Sequence, residues 1–225
     1  METFKLSNLS LADVRRCVNL QERGVGNYEW TNVDAIELSN RDRLQVEEIQ
    51  SRLLNYQTHL MNEATIWARG IYPLLLLAER DSIQAWAEVS LSAKYPQFIL
   101  EGIADGILGN CVSGTVETPF LVVVEAKKGF ESQNPIGQMY GQLLASARLN
   151  WEKDNQSPQE MFGCYTIADV WTFARSRVDE IDSDRPTMTV EFSREFVEKL
   201  EVDRILKILK GIVSRYLDRL PHLNG

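Results

Sequence analysis

A chain of 225 residues, 44% apolar and 25% charged, is long enough to bury one substantial core and has the composition of an ordinary soluble domain. Its 24 basic and 32 acidic side chains leave a net charge of −8, which excludes a general basic coat for unspecific nucleic-acid binding but not a local basic cleft. Three scattered cysteines (Cys17, Cys111, Cys164) without a C-x-x-C spacing argue against a zinc cage or disulfide framework and for a reducing, cytoplasmic setting.

The N-terminus lacks a basic start followed by an apolar run, so no signal peptide is expected. The longest apolar run, Leu74 to Ala78, is too short for a bilayer, so no membrane partner is expected. Residues 10–22 read as a short helix with Ser10 as N-cap, broken by Gly24 and Gly26. From Asn40 to Glu79 the pattern is helical, with Leu44, Ile49, Leu53, Tyr56 and Leu60 near helical spacing. Pro73 starts a new segment there, since proline suits a first turn and not a helix interior. The period then changes to two: over residues 84–92, Ala85, Ala87, Val89 and Leu91 alternate with Trp86, Glu88 and Ser90.

A second strand is predicted over Phe98–Leu108 and a third over Pro119–Lys127, whose continuous apolar run marks a strand covered on both faces. Residues 135–150 return to helix, and Met161 to Val178 read as a strand pair turning at Asp169. Ser193 to Leu220 read as an amphipathic helix with Ile205, Leu209, Ile212, Tyr216 and Leu220 on one stripe. No repeat or linker interrupts the chain. The fold class is α/β (α+β), helices on a mixed sheet, in a single domain over 1–225. It divides into an N-terminal helical extension 1–60, a core 61–180 and a C-terminal helix 193–220.

Two histidines, His59 and His222, leave histidine-based mechanisms poorly supported, so chemistry must run on carboxylates and lysine. Glu101-Gly-Ile-Ala-Asp105 precedes Phe120-Leu-Val-Val-Val-Glu125-Ala-Lys127-Lys128. Glu125 and Lys127, two apart on one strand, emerge on the same face, and charges at the end of so apolar a strand need partners. Asp105, at the end of the neighbouring strand, is the nearby acid. Asp105, Glu125 and the main-chain carbonyl of Ala126 make an all-oxygen site suited to a hard ion such as Mg²⁺. Lys127 then stands beside a metal-bound water, where an ammonium orients it and favours hydroxide. The competing reading is a plain Glu125–Lys127 salt bridge at a strand end; the acid on the preceding strand tips the balance to a site.

This ordered set resembles the PD-(D/E)XK nuclease superfamily, in particular the N-terminal nuclease domains of restriction subunits. The resemblance spans roughly Glu63 to Asp179, with Ala104 where the name-giving proline would stand. It implies a restriction endonuclease-like α-β-β-β-α-β core that binds Mg²⁺, with Mn²⁺ as a substitute, and hydrolyses phosphodiesters. Asp105 and Glu125 match the motif acids and Lys127 the motif lysine. Asn62-Glu63 followed by Ile71-Tyr-Pro-Leu-Leu is similar to the helix carrying an upstream acid, so Glu63 is the candidate to complete the metal shell directly or through water. Glu47, Glu48 and Glu79 compete for that role, and Glu88 and Glu101 are further acids able to approach. Gln138 and Gln142, four apart on one helical face, resemble a glutamine motif pointing toward the site; a polar helix surface explains them almost as well. Trp171 and Phe173 alternate on one face and read as core rather than as base-stacking platforms.

The expected function is a Mg²⁺-dependent nuclease acting on DNA. A non-cleaving nucleic-acid- or protein-binding module on the same fold is the alternative, and another phosphate ester as substrate stays open. A homodimer or a partner subunit is expected, because helix 193–220 carries more apolar residues than one stripe needs and one small domain offers little grip on duplex DNA.

Overall fold

A computed structural model describes residues 1–129 and 134–219. It holds an eight-stranded mixed sheet with helices on both faces. In chain order the elements are β1 (Glu2–Lys5), α1 (Leu11–Cys17), β2 (Asn19–Val25), α2 (Asn40–Leu54), α3 (Glu63–Ile66), a π-helical turn (Trp67–Ile71) and α4 (Tyr72–Ala78). β3 (Ile83–Lys94), β4 (Phe98–Val112), β5 (Thr115–Lys127), α5 (Ile136–Asp154), β6 (Gln159–Ile167), β7 (Val170–Asp179), β8 (Thr187–Val197) and α6 (Glu198–Leu217) follow.

The sheet runs β1-β4-β5-β6-β7-β8-β2, with β3 antiparallel to β4. β5 and β6 are parallel, joined by α5 as the crossover that parallel neighbours require. β5 is buried from Phe120 to Ala126, as its unbroken apolar run predicts. One core layer packs α2, α4 and α6 on the sheet; the other packs α1 and α5. No described helix is long and apolar enough to cross a membrane.

Several expectations need correction. The helix over 10–22 starts at Ser10, whose hydroxyl and Asp13 form a capping box, but it ends at Cys17; residues 19–25 are a strand paired in parallel with β8. The tract 40–79 is not one helix. Ser39 and Asp42 cap α2, the chain leaves it after Leu54, and the Asn62 side chain starts α3 by accepting from the Thr65 amide at 2.8 Å. Past the break Tyr56 and Leu60 are exposed, and within α2 Leu44 lies on the exposed side while Ile49 and Leu53 are buried. Pro73 sits in the first turn of α4 as expected.

Ala87 is exposed, because Glu88 takes φ +53° and interrupts the alternation of β3. Residues 193–197 finish strand β8, so the last helix begins at Glu198; Leu220 and His222 lie outside the described residues. The extension 1–60 is not purely helical, and the sheet outruns the 61–180 core, since β1 and β2 lie at its edges and β8 lies beyond residue 180. α6 buries Val202, Ile205, Leu206, Ile208, Leu209, Ile212 and Val213 within this chain, which removes the apolar excess that motivated a dimer.

Candidate metal centre

The centre arises where two strands leave β4 unpaired on one edge. β5 pairs with β4 from Gly106 (opposite Val124) to Val112, and β1 pairs with Phe98–Glu101. Gly102, Ile103 and Ala104, between these stretches, pair with β3 alone among the described strands. β5 ends at this gap with Glu125, Ala126 and Lys127. The Ala126 amide, lacking a ladder carbonyl there, donates to Oδ2 of Asp105 at 2.7 Å. Gly106 is required next door: a Cβ on it would stand 2.5 Å from the Trp67 indole. Trp67 and Ala64 thereby form one wall of a cleft of about 180 Å³, with Glu63, Glu88, Asp105 and Ala126 completing it.

Glu88 faces this cleft from a strained backbone. Its neighbours pair as Ala87↔Gly106 and Val89↔Ala104, so Glu88 is the residue opposite Asp105, yet it leaves the ladder in the left-handed region. A non-glycine residue held there inside a strand is the kind of outlier found at working sites.

Glu125 is 2% exposed and uses both oxygens. Oε1 lies 2.6 Å from Lys127 Nζ, and Oε2 accepts from Gln142 Nε2 of α5. Burial, reinforced by the Asp105 charge, pushes the Glu125 carboxyl up to about 7 against the pull of Lys127 and Gln142. Burial also raises Asp105, with Glu88 adding to it, while the Ala126 amide and Lys127 oppose. Glu63 is raised by burial and by Asp105. Burial pulls Lys127 down, but its bond to Glu125 and the charges of Glu125, Asp105 and Glu63 outweigh it, so the ammonium is held more firmly than usual.

Asp105, Glu125, Ala126, Lys127, Gln142 and, at the rim, Glu63 therefore converge. Gln138 does not: one turn from Gln142, it lines a separate hollow against Leu9, Ser10 and Asn134. Glu101 pairs with Lys5 at 2.6 Å, Glu48 with Arg52, and Glu79 accepts from the Ala85 amide. Glu47 lines a pocket with Asp34 and Lys207. Among the described residues no three His, Cys, Asp or Glu side chains stand close enough to hold an ion together. Asp105, Glu125 and the Ala126 carbonyl remain the candidate donors, with Glu63 lining the same cleft.

A second buried carboxyl lies on the other sheet face. Glu198 is wholly buried; its Oε2 accepts from the Trp171 indole at 2.8 Å, and Oε1 has no hydrogen-bond partner among the described residues. Gly70 of the π turn makes room for it, since a Cβ there would stand 2.3 Å from Oε1. Burial, with the Asp169 charge adding, raises Glu198 to about 8. Trp171 and Phe173 stack at 5.7 Å and are core, as expected. The sequence does not single out Trp67, Ala64 or Glu198. The π turn that gathers the first two has no sequence signature, and Glu198 looks there like any helix glutamate. No family model and no curated protein matches the chain.

Proposed function

We propose that this protein is a Mg²⁺-dependent nuclease of the PD-(D/E)XK type, with Mn²⁺ as a substitute ion, that hydrolyses phosphodiesters of DNA. The observation that carries this reading is the convergence of Asp105, Glu125 and Lys127 at the unpaired edge of β4, beside an open cleft. The run α4-β3-β4-β5-α5-β6 also follows the α-β-β-β-α-β order of restriction endonuclease-like cores.

The donor set suits a hard cation that keeps most of its water: two carboxylates and a main-chain carbonyl, with Glu63 within electrostatic reach. Asp105 and Glu125 would hold it, the Ala126 carbonyl would add a third oxygen, and Glu63 would act through water. A bound divalent ion supplies charge stabilisation for the phosphate and a lowered pKa for water. The chain's own contribution centres on Lys127. Its ammonium is firmly protonated, so it orients the attacking water and favours hydroxide without taking the proton itself. Gln142 fixes one oxygen of Glu125 from α5, which sets the carboxylate plane. A carboxylate keeps further lone pairs beyond those that meet Lys127 and Gln142, so Glu125 could ligate while holding the ammonium at the site.

The closed Glu125–Lys127 pair favours a second reading, a non-cleaving nucleic-acid- or protein-binding module that keeps these residues as a structural ion pair. Incubating supercoiled plasmid, single-stranded DNA and RNA with Mg²⁺ or Mn²⁺, with wild type beside Lys127→Ala, separates the two. Cleavage by wild type and its loss in the variant support the nuclease; an inert wild type leaves the binding module.

A further inference from the structure

At the other end of the sheet, Arg23 of β2, Arg175, Arg177 and Asp179 of β7, and Thr189 and Glu191 of β8 line a hollow of about 330 Å³. We propose that this hollow is a phosphate-binding site, separate from the carboxylate cleft.

The strand pattern builds the charge. Arg175 and Arg177 alternate on the face that carries Trp171 and Phe173, and their cross-strand neighbours on β8 are Glu191 and Thr189. Glu125 turns to the opposite face, toward Gln142 of α5. Arg23 lies in a register shift of β2 between Glu22 and Val25, next to Gly24 at φ +74°. Such a bulge re-aims a side chain, and this one brings Arg23 to Glu191.

The guanidiniums outrun their partners. Arg23 and Arg175 approach Glu191 only to 3.7 and 3.6 Å, beyond hydrogen-bond reach, while Glu191 Oε2 already accepts from the Trp30 indole at 3.1 Å. Arg175 also pairs with Glu160 at 2.7 Å, and Glu160 is shared with Arg219 at 2.6 Å. Arg177, by contrast, is met by both oxygens of Asp179. The hollow's own lining thus sets Arg23, Arg175 and Arg177 against Asp179 and Glu191, a local positive excess in a chain of net charge −8. Planar guanidinium forks match phosphate oxygens two at a time, and the donors of Arg23 and Arg175 that find no close acceptor among the described residues point to such an anion. The phosphate belongs either to a free phosphate compound or to a nucleic-acid strand.

Titration calorimetry and melting curves with inorganic pyrophosphate, in EDTA at constant ionic strength, test this without any metal at the cleft. Wild type and Asp105→Ala are expected to bind one equivalent and to melt higher with pyrophosphate. The Arg23→Gln/Arg175→Gln double variant, altered at side chains 64% and 31% exposed, is expected to keep its fold and to bind at least about tenfold more weakly. Displacement of pyrophosphate by a single-stranded oligonucleotide assigns the phosphate to a strand, and no displacement assigns it to a small phosphate compound. Absence of heat and melting shift at millimolar pyrophosphate, or equal binding by the double variant, overturns the proposal.

Discussion

Glu125 and Glu198 are buried carboxyls on opposite faces of one sheet, both pushed up by burial, to about 7 and about 8. Their surroundings differ in kind. Glu125 has a cation on one oxygen, an amide on the other, and Asp105 beside it opening to a cleft. Glu198 has one indole N–H, an oxygen unpartnered among the described residues, and the backbone of Gly70 closing over it. Burial perturbs both, so a displaced pKa alone does not mark chemistry. What distinguishes Glu125 is a charged partner on one oxygen and, beside it, an acid that lines an open cleft.

The comparison breaks most visibly in cleavage rates. Lys127→Ala is expected to lower cleavage by ~10²–10³-fold, the usual contribution of one preorganised charged donor, with Mg²⁺ affinity retained. Glu198→Gln should leave the rate nearly unchanged. A comparable loss in both variants, read from initial rates on plasmid, would erase the distinction.

Stability against pH gives the next largest effect. Glu198 is raised above its ordinary value, so it contributes stability that is full below about pH 4.5 and is lost as pH rises through about 8. Glu125 acts with the same sign up to about pH 7. Replacing Glu198 by Gln should flatten that decline by on the order of 4 kcal/mol, since each tenfold change in proton affinity on folding is worth about 1.4 kcal/mol. Urea unfolding of both proteins at pH 4.5 and pH 8 measures it; parallel declines would show that Glu198 titrates normally.

Trp171→Phe keeps most of the packing but removes the indole donor to Glu198, leaving Oε2 unmet as well. The expected cost is about 1–3 kcal/mol in chemical unfolding, with cleavage unaffected. Asp105→Ala sits at the small end for stability. Relief of repulsion with Glu125 and Glu63 is offset by the Ala126 amide losing its acceptor, so metal-free stability should hold within about 0.5 kcal/mol of wild type. Metal affinity, measured by calorimetry with Mn²⁺, should fall.

The parts of this site legible in the sequence are those set by local period. The apolar run before Glu125 announces a central strand, and the two-residue spacing to Lys127 puts both on one side. Pro73 and Ser10 mark helix starts because their chemistry is local. What stayed hidden depends on distant pairing. Nothing in Asn19–Val25, mostly exposed and polar, says strand until β8 lies beside it. Gln138 and Gln142 share a helical face in projection, yet only one reaches Glu125, because the N-terminal segment packs against the turn that carries the other. The kink at Glu88 is equally silent in its residue type.

That same β2–β8 pairing bears on how the chain is made. Asn19 finds its partner in Thr187, so one strand waits for another that is made long after it. At about 5–20 residues per second on the ribosome, the first segment spends some ten to thirty seconds without its neighbour. The sheet can therefore be completed only late, a topology that folds slowly and exposes polar strand edges until it does. The largely exposed, polar face of β2 suits that delay, because it keeps a waiting strand in solution rather than against another chain.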